Sequence, residues 1–427
     1  MQGKTQINKK ARLIAFYLPQ FHPIPENDEW WGAGFTEWTN VAKAKPLFPG
    51  HYQPRLPADL GFYDLRVPET RAAQAELARS SGIEGFCYWH YWFGGKRILE
   101  RPITEVVESG QPDFPFCLGW ANQTWTGIWH GAPGRILIEQ TYPGREDHER
   151  HFYAALPAFS DKRYVRVDGK PLFLVYRPAE LAAASEFIEQ WQQLASQNGL
   201  PGIHFVAHVV KHDPVFDPWL LGFDSATVSG QSAIVSRTKI DIVLARMRRE
   251  LNVEGPLPVM TDLLVRSIAL RERARSRLRR WRCQPVRLFD YGDASLFFLD
   301  QEGLSPERCI YPCAVPNWDN SARSGLRALI LHNSSPELFR LHFREALSRV
   351  ESFPPEKRIV FLKSWNEWAE GNYLEPDRKF GHRYLDVVRE EVASGDARPK
   401  PYSNFADVGH LVGNSGDVTI ADQRCVK

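Results

Sequence analysis

The sequence predicts an α/β chain folded as a closed (β/α)8 TIM barrel, with long βα loops after strands 1 and 6. Three observations carry that prediction. Short apolar runs rich in β-forming residues recur eight times. Helical patterns separate them, as in a parallel sheet with crossover helices. Most runs also end in a burst of polar and aromatic residues, which suits the C-terminal mouth where barrels place their active sites.

The strand runs are Arg12–Pro19, Ile83–Trp92, Pro115–Trp120, Pro171–Tyr176, Ile203–Val210, Phe223–Val228, Ile310–Val315 and Arg358–Trp365. Among the helices, Thr70–Ser80 follows Pro68-Glu69, and Ala179–Asn198 stops at Gly199. Ser335–Ser352 opens on an N-cap serine followed by proline, and Asp386 lies in a last helix that covers the barrel end. Two connections exceed simple turns: Trp30 to Tyr63, rich in Trp, Pro and Gly, and Ser229 to Glu307. The expected domain runs from residue 11 to 396, with a loosely ordered tail over 397–427.

A length of 427 residues accommodates a barrel with inserted loops. With 43% hydrophobic and 24% charged residues the chain reads as globular. Its formal net charge of +2 provides no field for nucleic acid. Met1–Lys10 lacks the apolar stretch of a signal peptide, and no run is long enough to span a bilayer. The expected location is therefore cytoplasmic, with Cys87, Cys117, Cys283, Cys309, Cys313 and Cys425 as reduced thiols. Cys309 and Cys313 have no second Cys/His pair nearby, and no Rossmann or P-loop glycine pattern occurs, so neither metal nor cofactor is expected. Arg271–Arg282 holds seven arginines and one glutamate. Two readings stand equal for it: attraction to phosphate, an anionic or lipid-linked glycan or the anionic inner membrane face, and a plain solvated helix face.

The 14 Trp, 14 Tyr and 25 Phe often stand beside polar residues, and aromatic faces suit the C–H faces of sugars. Glycosidic cleavage needs a proton donor and a second carboxylate. The segment Trp365-Asn-Glu367-Trp-Ala-Glu370-Gly371 supplies both where the last strand should end. A continuing strand would point Glu367 and Glu370 to opposite faces, so the pair requires a turn after Glu367. The neighbouring tryptophans favour a raised pKa on one carboxyl; two solvated glutamates on a surface turn is the bland alternative. Expected sugar-binding residues are Tyr17, His22, Trp38, Trp89, His90, Trp120, Asn122, Trp125, Tyr176, Asn317, Trp318, Asp319, Trp365 and Asn366. Loop packing competes as an explanation for the tryptophans, and His208, which ends a strand, reads more readily as structural.

Several segments together resemble the WbsX-like family, related to glycoside hydrolase family 99, the endo-α-mannosidases. They are Phe35-Thr-Glu-Trp-Thr-Asn40, Gly61-Phe-Tyr-Asp-Leu65, Tyr88-Trp-His-Tyr-Trp-Phe93, Trp120-Ala-Asn122, Asp168-Gly-Lys-Pro171, Trp318-Asp-Asn320 and Trp365–Gly371 with Leu374-Glu-Pro-Asp377. The resemblance runs from about Arg12 to Val392. It implies a (β/α)8 barrel acting on polysaccharide, often of bacterial O-antigen or capsule type. By motif, Glu367 would deprotonate the sugar 2-hydroxyl, giving a 1,2-anhydro sugar with net retention, and Glu370 would be the acid/base. Members of the group are also labelled glycosyltransferases, which gives lipopolysaccharide assembly as the alternative. A non-catalytic carbohydrate-binding barrel is the third reading.

Overall fold

Eight parallel strands close on themselves: β1 (Arg12–Tyr17), β2 (Gly85–His90), β3 (Phe116–Trp120), β4 (Lys170–Val175), β5 (His204–Val209), β6 (Ser225–Val228), β7 (Ile310–Ala314) and β8 (Ile359–Leu362). Each pairs with its successor, and β8 returns to β1 through Arg12↔Ile359 to Ala15↔Leu362. Seven of the runs read from the sequence contain a strand whole, and Pro171–Tyr176 misses only Lys170 of β4. Closure leaves no barrel strand with an unpaired edge. This computed structural model describes residues 9–127, 132–209, 216–251, 286–300 and 307–393. Arg271–Arg282, Cys283, Cys425 and the tail 397–427 lie outside the described residues.

Alternation along the strands decides what fills the barrel. Phe16 of β1 stacks on Trp89 of β2 at 4.8 Å and on Phe361 of β8 at 5.2 Å, while His208 of β5 meets Phe16 edge-on at 6.0 Å. This aromatic layer closes the barrel just below its mouth. On β3, Gly119 gives it room. A Cβ there would stand 3.1 Å from both the Cys87 sulfur and the Trp89 ring.

Among the described residues, the α-helices of seven residues or more around the sheet are α1 (Pro25–Trp31), α2 (Glu37–Lys43), α3 (Pro68–Ser80), α4 (Arg101–Ser109), α5 (Arg145–Phe159), α6 (Ala184–Gln197), α7 (Lys239–Leu251), α8 (Pro336–Ser348) and α9 (Arg383–Val392). Helix α8 starts as its sequence predicts. The Ser335 hydroxyl accepts the Leu338 N–H at 3.3 Å, with Pro336 in the first turn. The stretch expected to be one helix from Ala179 is divided, because Ala183 takes a left-handed φ of 50° between a single turn at Pro178–Glu180 and α6. The first long connection holds α1 and α2. The second packs Ile234, Tyr291 and Phe298 against Trp318 and Leu331 of the loop after β7, and its strand Arg287–Asp290 pairs with Leu329–His332 of that loop. No helix among the described residues is long and apolar enough to cross a membrane.

Trp191 of α6 is fully buried and packs on Phe173 at 4.8 Å, Phe187 at 4.7 Å and His151 at 5.0 Å. Truncating so large a side chain leaves a cavity that rigid neighbours cannot fill. Trp191→Ala is expected to lower unfolding stability by about 4 kcal/mol in denaturant titration, and a loss under about 1 kcal/mol would contradict this packing.

Candidate active site

The chain turns immediately after Glu367. Residues Trp368–Glu370 form a single helical turn, and Gly371 follows with φ 55° and ψ 32°. A side chain at Gly371 would also collide, since its Cβ would lie 2.9 Å from Arg55 and from Asp319. The Asp319 N–H donates to the Glu370 carbonyl at 2.7 Å and fixes the turn from the β7 loop. Both carboxyls consequently face one cavity of about 400 Å³ at the C-terminal mouth. They lie in hydrogen-bond contact with each other.

Three elements hold the pair. Trp89 Nε1 donates to Glu367 Oε1 at 3.0 Å. Arg323 Nη1 donates to Glu370 Oε1 at 2.7 Å and, through Nη2 and Nε, grips Glu37 Oε2 at 3.0 and 3.2 Å. Lys363, two residues beyond Phe361 and of the same strand parity, faces the cavity too. The group therefore contains three carboxyls and two cations, and one added proton makes it neutral. That proton belongs on Glu370. Burial pushes its pKa up to about 8, against the pull of Arg323 and with the help of Glu367. Burial also opposes ionisation of Glu367. The hydrogen bond from Glu370 and the charges of Lys363 and Arg323 outweigh it and hold Glu367 below the usual carboxylate range. Burial raises Glu37, with Arg323 opposing. Two adjacent carboxyls pushed apart in pKa are an acid and a base set side by side.

Of the residues expected at the mouth, Trp89, Trp125, Tyr176, Trp318, Glu367 and Glu370 line the cavity. The others do not line it. Tyr17, His90 and Trp120 occupy strand positions whose neighbours Phe16, Trp89 and Gly119 point inward, so they face the helices. Tyr17 Oη donates to Gln74 of α3 at 2.6 Å, the His90 and His151 rings meet at 2.8 Å, and Trp120 packs on His151 at 4.7 Å. Burial keeps His90 neutral by lowering its pKa to about 3. His22 is buried against the Pro19 carbonyl at 3.0 Å. Trp38 donates to the Tyr63 carbonyl and packs behind Trp368 at 5.5 Å.

The expected amide and acid ligands of sugar are likewise committed to protein. Asn366 accepts from the Leu18 N–H at 2.7 Å and donates to the Leu18 carbonyl at 3.0 Å, tying the end of β8 to the end of β1. Asn317 pairs with the Tyr373 backbone, and Asn122 with the Arg177 backbone. Asp319 has no exposed side-chain surface; His51 and Gln53 donate to it at 2.8 and 2.9 Å. Trp365 is buried against Phe86. His208 is buried, hydrogen-bonded to Ser229 and stacked under Tyr176 at 4.8 Å.

The cavity also brings in residues outside the expected set: Glu37, Tyr91, Arg177, Gln231, Arg323 and Lys363. Glu37 and Tyr91 stand inside aromatic motifs already singled out, and the inward parity of Lys363 could have been read from Phe361. Arg323 follows β7 in a Ser-Ala-Arg-Ser stretch that carries no local signal.

A family model described as Glycosyltransferase WbsX matches residues 13–388. An uncharacterized protein, WxcX, from two strains of Xanthomonas campestris pv. campestris is 39% identical over 384 residues, 90% of this chain. The chain spans about half the length of those curated relatives. A solved structure described as a glycoside hydrolase-like protein superposes with TM-score 0.56 at 14% identity, covering 92% of this chain and 98% of that one, and shares the fold. The GH99 endo-alpha-mannosidase from Bacteroides thetaiotaomicron superposes with TM-score 0.49 at 13% identity, covering 89% and 96%.

Because Glu370 binds its proton more tightly folded than unfolded, its contribution to stability is fully present below about pH 4.5 and is lost as pH rises through about 8. Relative to Glu370→Gln, wild-type stability is expected to fall by a few kcal/mol over that window. Parallel curves of unfolding free energy against pH for the two proteins would contradict the raised pKa.

Proposed function

We propose that this chain, which belongs to the WbsX glycosyltransferase family, cleaves or transfers at glycosidic bonds of a bacterial polysaccharide of O-antigen or capsule type, with retention. A carbohydrate-active family and a barrel mouth walled by aromatic rings give the substrate class. One observation carries the chemistry: protonated Glu370 and ionised Glu367 share the floor of the cavity.

Glu367 and Glu370 share a hydrogen bond, a closer approach than the roughly 5–5.5 Å spacing of ordinary retaining enzymes. A route through the sugar's own 2-hydroxyl has no such requirement. Glu367 takes the 2-hydroxyl proton as O2 attacks C1, and the C1–O1 bond breaks while Glu370 gives its proton to the leaving oxygen. The product is a 1,2-anhydro sugar with Glu367 protonated and Glu370 ionised. Glu370 then removes a proton from the incoming hydroxyl as that oxygen attacks C1. The C1–O2 bond opens and Glu367 returns its proton to O2. Water as acceptor gives endo-hydrolysis; a sugar hydroxyl gives transglycosylation. Arg323 stays charged throughout and steadies Glu370 in both protonation states.

The description of the family model favours a second reading, a glycosyltransferase of lipopolysaccharide assembly. It fits a cytoplasmic chain held peripherally at the inner membrane face, where lipid-linked glycans are built. Binding of any donor from a nucleotide-sugar panel, with elongation of a glycan acceptor, would replace the hydrolytic reading.

Glu370→Gln is expected to slow release of shorter glycans from the host polysaccharide by about 10²–10⁴-fold. Wild-type activity should fall on the alkaline side near pH 8, as the acid loses its proton. Cleavage by Glu370→Gln at the wild-type rate would sink the assignment.

A further inference from the structure

The cavity has two unlike halves. Strand β2 contributes Trp89, and the loops after β1, β2 and β3 contribute Trp31, Phe35, Tyr91 and Trp125. Loops after β4, β6, β7 and β8 contribute Arg177, Gln231, Trp318 and Lys363. In this second half, polar atoms that ordinarily find partners lack them. Lys363 is 4% exposed, yet its ammonium makes no hydrogen bond or ion pair of 4 Å or less among the described residues; it lies over the Trp318 ring, 5.6 Å from the ring centre, within the field of Glu367 and Glu370. Trp318 Nε1, Gln231 Oε1 and Arg177 Nε are likewise buried and unpartnered, and Trp318 and Gln231 are each 7% exposed. Leaving such groups unpaired costs stability, so a buried set of them around one cavity is the mark of a ligand that completes it.

Charge selects the ligand. With the proton on Glu370, the groups facing the cavity carry three positive charges, on Arg177, Arg323 and Lys363, against two negative ones, on Glu37 and Glu367. Glu180, the partner of Arg177 at 3.6 Å, is more than half exposed and does not line the cavity. The excess is one positive charge, and it falls on the half with the unpaired donors. Burial keeps the His208 imidazole, under the Tyr176 ring, uncharged, and the nearby charges of Lys363 and Arg177 add to that.

Building on the reading that the cavity holds a glycan, we propose that Lys363, Arg177 and Trp318 form a subsite for a singly charged oxyanion on the substrate, the carboxylate of a uronic acid or a phosphoryl group. The neutral face of a sugar lies on the aromatic half while the oxyanion accepts from Lys363 Nζ, Trp318 Nε1 and Arg177. Gln231 Oε1 receives a neighbouring hydroxyl.

Tryptophan fluorescence reports occupancy directly, because Trp89, Trp125 and Trp318 line the cavity. The full chain is titrated at constant ionic strength with sodium glucuronate, inorganic phosphate and glucose. At least one anion is expected to bind about tenfold or more tightly than glucose, the scale of a charge-assisted hydrogen bond. Lys363→Met should bring that anion's affinity down to that of glucose. Trp318→Phe, which keeps the ring and removes the N–H, should lower anion affinity several-fold and leave glucose unchanged. Preference for glucuronate assigns a uronate, and preference for phosphate a phosphoryl group. No anion binding, equal binding of glucose and glucuronate without phosphate binding, or an anion preference that survives both substitutions would overturn the subsite. These readouts are of binding, so such a result leaves the bond-breaking role of Glu370 to its own variant.

Discussion

Everything at the mouth of this barrel depends on keeping a buried group of charges neutral. Three carboxyls and two cations have been withdrawn from water, and isolated buried charges are far too costly to persist. Arg323 is the pivot, since it binds Glu37 from the first connection and Glu370 from the last turn at once. The arrangement balances only if one carboxyl keeps a proton. The raised pKa of Glu370 comes from its burial and its charged neighbours rather than from any special feature of that residue alone.

The scaffold beneath has one governing rule, the alternation of side chains along each strand. Phe16, Trp89, His208 and Phe361 fill the axis, and Lys363 continues the same inward series above Phe361. The outward series, Tyr17, His90 and Trp120, joins the helices. Trp89 links the two levels, because its ring belongs to the barrel core and its N–H holds Glu367. A residue can thus be a packing element and a site element, and Gly119 leaves room for the Trp89 ring that plays both parts.

Much of this was legible in the sequence. The eight apolar runs mark the eight strands because a parallel barrel strand is buried on both faces and reads as a continuous apolar segment. The turn after Glu367 followed from side-chain alternation and from Gly371. Less legible was which aromatic and amide residues at the strand ends face the cavity. Composition says that Tyr17, Trp120 and Asn366 stand at the right height; only register says which way they point, and a shift of one residue reverses it. Asn366 and Asn122 look like sugar ligands, yet backbone groups at the barrel rim need partners and take them first. Arg323 was invisible for another reason: its meaning lies in carboxyls 286 and 47 residues away.

The clasp between Asn366 and Leu18 joins positions 348 residues apart. It seals the barrel by setting the last strand against the first. Contacts so distant in sequence form late, after the entropy of closing a very long loop has been met. During synthesis the first strand must therefore wait, with Phe16 and its neighbours uncovered on one side, until residues 359–371 have been added. Those residues also carry both glutamates. The chain therefore cannot set the two carboxyls against Trp89 and Arg323 until its barrel is whole.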